Sequence, residues 1–103
     1  MKPVIIVSTF PNKTSITMIA NQLVKKKLVA CVNIMKISSV YAWKGKIENQ
    51  PEYLGLFKTT KKNQSELKKE LRKLHPYDIP EIAKINVSSM NKPYLNWLID
   101  STN

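Results

Sequence analysis

The sequence predicts an α+β domain: a four-stranded antiparallel sheet built as β-α-β-β-α-β, with a further helix at the C-terminal end. Three observations lead to it. Strand-like and helix-like periodicities alternate along the chain, a long run of β-formers turns back on itself at Lys44-Gly45, and no repeat or low-complexity linker divides the sequence. Each β-α-β half must cross over right-handed, and two halves joined by a hairpin give the ferredoxin-like arrangement with helices on one face.

The first strand is Pro3 to Phe10, β-branched and apolar on both faces, as a strand covered on two sides is, and Pro11-Asn12 ends it. A helix follows. Ile16, Ile19, Ala20, Leu23 and Val24 recur at helical spacing, Asn12 or Thr14 is available as N-cap, and Lys25-Lys26-Lys27 lie at the negative end of the helix dipole. Leu28 to Trp43 holds β-formers with no internal Gly or Pro, and after the turn a returning strand runs from Lys46 to about Thr60.

An outgoing arm of that length would span roughly 50 Å at ~3.4 Å per residue, whereas a domain of this size has a radius of gyration of about 13 Å. The arms must break, bend or project. Pro51, which cannot donate to a ladder, points to a break or bulge in the returning strand. A projecting ribbon carrying Val40, Tyr41, Trp43, Tyr53 and Leu54 exposes apolar surface and free edges, which favours an obligate oligomer; the alternative is a ribbon folded back onto its own domain.

Asn63 opens a second helix, with Glu66 as capping partner and Leu67, Leu71 and Leu74 as apolar stripe, and Pro76 stops it. Ala83, Ile85 and Val87 alternate with Lys84, Asn86 and Ser88 as a half-buried strand. Asn91-Lys92-Pro93 then opens a last helix carrying Leu95, Leu98 and Ile99.

Composition bounds the function. With 103 residues and 43% hydrophobic content the chain can build one core, so residues 1–103 are expected to form a single domain. No apolar run approaches the ~20 residues of a membrane-spanning helix, and the start of the chain is too short for a signal peptide's apolar region, so a soluble cytoplasmic protein without membrane contact is expected. The single cysteine, Cys31, excludes an internal disulfide or CxxC pair, fits a reducing compartment, and reads as a small core hydrophobe on its strand. The net charge of +10 would attract polyanions, but only Arg72 of the seventeen basic residues is arginine and the lysines are spread along the chain. A solvated lysine-rich surface explains this better than a nucleic-acid site, which usually needs arginine forks or stacking aromatics.

Enzyme signatures are mostly absent. Two glycines, Gly45 and Gly55, leave no phosphate-cradling loop, and no serine stands in a nucleophile-elbow context, so a non-catalytic protein is expected. The only histidine, His75, ends a helix, where it reads either as a C-terminal cap or as a metal ligand. With Asp78 and Glu81 nearby, one imidazole and two carboxylates could serve a divalent cation such as copper or zinc. Tyr94 and Trp97 read as packing residues, while Trp43, beside the Lys44-Gly45 turn, is hard to bury within one chain and is an interface or ligand-cleft candidate.

Several blocks in order resemble the CutA family of divalent-cation tolerance proteins. They are Leu28-Val29-Ala30-Cys31-Val32-Asn33-Ile34, Tyr41-Ala42-Trp43-Lys44-Gly45-Lys46-Ile47-Glu48, Phe57-Lys58-Thr59-Thr60, Leu74-His75-Pro76-Tyr77-Asp78 with Ile79-Pro80-Glu81-Ile82, and Tyr94-Leu95-Asn96-Trp97-Leu98. The resemblance covers essentially the whole chain. It implies a ferredoxin-like protomer in a homotrimer whose long strands pair across subunits, and a role in tolerance of or response to divalent metal ions. Copper binding proposed for bacterial members uses a cysteine near the end of the first strand and paired histidines before Pro-Tyr; here Ser8 and Leu74 replace two of these, leaving His75. The trimer is also similar to PII signalling proteins, which implies an alternative: a sensor binding a small anionic effector at intersubunit clefts lined by Trp43, Lys44, Lys46, Lys58 and Tyr77.

Overall fold

The computed structural model describes Met1–Asn103, with β1 (Pro3–Phe10), α1 (Lys13–Lys25), β2 (Cys31–Trp43), β3 (Lys46–Thr60), α2 (Gln64–Leu74), β4 (Ala83–Asn86) and α3 (Lys92–Ser101). The strands form one four-stranded sheet in the order β2-β3-β1-β4, and each neighbouring pair is antiparallel. This is the expected α+β architecture. No helix is long and apolar enough to cross a membrane.

Local chemistry explains the helix ends. Asn12 caps α1, its Oδ1 accepting from the Ser15 N–H at 2.8 Å. At the other end Lys27 adopts φ 60, its N–H bonds the Val24 carbonyl, and the Leu28 N–H bonds the Leu23 carbonyl, both at 3.0 Å, in a Schellman closure. The capping box expected at α2 is not formed: the Asn63 side chain makes no cap bond and instead donates to the Thr102 carbonyl at 2.8 Å, tying the start of α2 to the end of α3.

Side chains alternate across the sheet. Val4, Ile6 and Phe10 of β1 and Phe57 of β3 point towards α1 and α2, where they pack with Ile16, Ile19, Leu23, Leu67 and Leu71. Burying each such side chain stabilises the fold by about 1.5–3 kcal/mol. Gly55 belongs to the same face. A Cβ there would lie 2.5 Å from a Phe57 ring carbon and 2.8 Å from Ile16 Cδ1, so glycine is what allows α1 to approach β3.

The opposite face is also apolar. Alternation assigns Ile5, Val7, Met35, Ile37, Leu54, Leu56 and Ile85 to it, and Met35 and Ile85 remain 44% and 49% exposed. In β4 the apolar residues recognised from the sequence thus face away from the core, and Val87 lies beyond the strand's end. Lys58, on this face, has its Nζ 3.5 Å from the Tyr94 hydroxyl and 5.5 Å from the Tyr94 ring centroid. The expectation of helices on one face therefore holds for α1 and α2, while α3 touches the other.

The β2–β3 pairing runs from Cys31↔Lys58 to Trp43↔Lys46 without a slip, closed by Lys44 and Gly45 at φ 50 and 77, a two-residue turn of the primed kind. β1 ends opposite Tyr53, so residues 37–43 and 46–52 project as a two-stranded ribbon. The molecule is accordingly 45 Å long, with a radius of gyration of 14.3 Å. The bulge expected at Pro51 does not occur: Pro51 pairs with Ser38 in unchanged register. This part of β3 has no neighbour on its second edge, so a missing N–H on that side interrupts no ladder. Cys31 is half-buried at the start of β2 rather than in the core.

Candidate functional site

The loop between α2 and β4 is fastened to the sheet by a polar chain centred on His75. The His75 N–H donates to the Leu71 carbonyl at 2.9 Å, closing α2, and the extended backbone at His75 (φ −67, ψ 135) leads the chain into Pro76. The buried imidazole stacks on Phe10 with centroids 4.2 Å apart and 17° between planes. Its Nδ1 lies 3.1 Å from the Tyr77 backbone nitrogen. A backbone N–H can only donate, so Nδ1 accepts and the proton of the neutral ring is on Nε2. Nε2 is 3.1 Å from the Ser8 hydroxyl, which donates in turn to the Glu81 carbonyl at 2.6 Å. Next along the loop, the Tyr77 hydroxyl donates to the Glu52 carboxylate at 2.7 Å. Ser8 thus anchors the loop to β1 and Glu52 anchors it to β3.

Burial drives the titration of these groups. It pushes the His75 imidazole below its ordinary 6.5, against weaker opposing effects of the Thr9 backbone and the Glu52 carboxylate. The Tyr77 phenol is raised well above its ordinary value, first by burial and then by its hydrogen bond to Glu52. An unfolded His75 takes up a proton near its ordinary value, whereas the folded one resists, so the unfolded state binds more protons as pH falls. Stability present above the ordinary value is therefore lost on acidification through the lower folded-state value. Urea midpoints measured between about pH 7.5 and about pH 5 are expected to fall, and His75→Gln to flatten that slope; an equal slope in the variant would remove His75 as its source.

The expected metal ligands do not converge. Glu81 contributes its carbonyl to Ser8, while the Glu81 and Asp78 residues are exposed, and no group of three or more His, Cys, Asp or Glu side chains is placed to hold an ion. His75 has no free lone pair: one nitrogen accepts from Tyr77 and the other carries the proton. Within one chain, then, His75, Asp78 and Glu81 are not brought together as one centre. The same tautomer argues against catalysis by Ser8, since a histidine acting as base needs its lone pair towards the serine and a donor bond from its other nitrogen.

The cleft candidates are also dispersed. Trp43, 48% exposed, and Lys44, with its Nζ 5.8 Å from the Trp43 ring centroid, occupy the ribbon tip, as does Lys46. Tyr77 is held at the ribbon base by Glu52, and Lys58 is engaged by Tyr94. The rise along β3 from Lys46 to Lys58 is roughly 40 Å at ~3.4 Å per residue, so a cleft uniting these groups needs neighbouring copies. Glu52 was not apparent from the sequence: at its alternate positions β3 runs Lys46, Glu48 and Gln50 before Leu54 and Leu56, so it reads as the last of a polar series.

The family model described as "CutA1 divalent ion tolerance protein" matches residues 4–101. The chain is 43% identical over 98 residues to the divalent-cation tolerance protein CutA of Thermotoga maritima, covering 95% of this chain and 97% of that protein. It is 39% identical to the CutA of Pyrococcus horikoshii, over 96% and 97% of the two chains. Among solved structures, CutA1 from Pyrococcus horikoshii superposes with a TM-score of 0.94 at 38% identity, covering 97% of this chain and 98% of the other. CutA1 from Ehrlichia chaffeensis gives 0.96 at 33% identity, covering 100% and 98%.

Proposed function

The chain belongs to the CutA1 divalent ion tolerance family, and from that premise we propose that it serves divalent-cation tolerance as a cytoplasmic, non-catalytic homotrimer. The observation that carries the assembly is the second apolar face of the sheet, which α3 meets at Lys58, continuing into a ribbon that carries Tyr41 and Trp43 on the same side, 41% and 48% exposed, and Val40 and Ile47 on the other, 68% and 70% exposed. Contiguous apolar surface of this kind marks a protein contact, and the free ribbon edges offer unpaired backbone to a neighbour. A ribbon docking on a different part of the next copy makes a head-to-tail contact, which gives a ring where the rotation closes, and three copies are a small closed solution.

Cation handling in this reading does not depend on a tight intrachain centre. With the His75 nitrogens committed and the Asp78 and Glu81 carboxylates apart in solvent, copper or zinc meets only weak, dispersed donors. Sedimentation velocity at micromolar protein is expected to give three times the 11.8 kDa chain mass. Calorimetric titration with copper or zinc is expected to give weak binding that His75→Ala changes by less than about threefold. A monomer would refute the assembly; tight stoichiometric binding lost in His75→Ala would refute the account of the cation.

A further inference from the structure

At the end of the sheet far from the ribbon tip, three chain segments meet around a concavity of about 400 Å³. Lys2 precedes β1, Lys61 follows β3, and Lys84 lies on β4; the Lys61 N–H donates to the Lys2 carbonyl at 2.9 Å, and Lys84 and Asn86 stand opposite Ile6 and Val4. Alternation directs Lys2, Val4, Lys84 and Asn86 to one side, the side of α1 and α2, so the concavity does not share the open apolar face. Ser88 completes the polar lining, and no Asp or Glu borders it. The only ion pair in the molecule, Lys26 with Glu70 at 2.6 Å, is elsewhere.

From this geometry we infer that the Lys2, Lys61 and Lys84 concavity binds a small anion made of linked phosphates. Three lysines line one hollow and no carboxylate stands among them, so the local field there favours an anion. Lysine suits phosphate as a point charge without selecting a base, while Asn86 and Ser88 supply neutral donors at the rim. The volume is within the usual range for small-molecule sites, large enough for a triphosphate. Nothing comparable exists in the shallow hollow along the outer side of α1, where Lys13 is the only lysine. Of the seventeen basic residues, read from the sequence as a diffuse surface property, the fold thereby brings three from separate segments to one place.

Inorganic tripolyphosphate and adenosine triphosphate are the probes, titrated into the assembled protein at two salt concentrations. Both are expected to bind, more weakly at the higher salt, and Lys61→Gln with Lys84→Gln to reduce affinity at least about tenfold. Lys25→Gln with Lys69→Gln, an equal change in net charge at exposed helix positions, is expected to change it less than about twofold. Equal affinities for the two probes would identify the phosphate chain as the whole determinant; tighter adenosine triphosphate would add a contribution from the base. Backbone amide shifts should concentrate at residues 61 and 84–88. Absence of binding, equal losses in the two double variants, or shifts spread over all lysine-bearing segments would overturn the site.

Discussion

Phe10→Ala is expected to lower folding stability by about 3–5 kcal/mol, a large fraction of the about 5–15 kcal/mol typical of native proteins. The ring is fully buried, 6.0 Å from Phe57 and stacked on His75, so its removal opens a cavity between the sheet and the loop after α2. Urea unfolding at one fixed protein concentration measures this, because the proposed assembly would make apparent stability depend on concentration. A second readout separates the stacking from general packing. Losing the apolar cover lets water reach His75, so the imidazole should return towards its ordinary value, visible as an upward shift of its NMR titration. A stability loss under about 1 kcal/mol would show that the site collapses without cost.

Leu56→Asp is expected to dissociate the assembly while leaving the protomer folded. Leu56 pairs with Val7 and Asn33 on the sheet face opposite α1 and α2, and it is only half-buried in the isolated chain. A carboxylate there remains solvated in the monomer but is desolvated and unpaired against another copy, at a cost of several kcal/mol. Association should weaken at least about a hundredfold. Sedimentation equilibrium gives the constant, and an unchanged circular dichroism spectrum shows that the fold persists. An intact trimer at the same concentration would mean that the open face is not the interface.

The two experiments probe opposite faces of one sheet, and the sequence marks those faces unequally. Ile16, Ile19, Leu23, Leu67 and Leu71 repeat at helical spacing and are the residues that α1 and α2 bury. In the strands, Pro3 to Phe10 reads as apolar on both sides, which foretells two covered faces without saying what covers the second. Only the register showed that Ile85 and Met35 join Leu56 there while α3 reaches the face at Lys58.

Short-range chemistry was therefore legible from the residues alone: the order of elements, the Lys44-Gly45 turn, a cap for α1 at Asn12 or Thr14, of which the fold uses Asn12, the helix stop at His75-Pro76 and the overlong hairpin. Each depends on periodicity or on backbone preference within a few residues. Pro51 shows the limit. Its ring forbids a hydrogen bond, but whether that forces a bulge depends on whether a strand runs alongside, and β1 stops at Phe10. The site lies wholly beyond that limit, since Ser8 meets His75 across 67 positions and Tyr77 meets Glu52 across 25. Sequence proximity suggested that His75, Asp78 and Glu81 act together, whereas the loop uses a Glu81 carbonyl and commits the imidazole to Ser8 and Tyr77. The lysine concavity, drawn from three separate segments, was equally invisible. Side-chain type is written in the chain, but the direction in which each side chain points, and what faces it, follows from packing between distant segments, which only the tertiary structure decides.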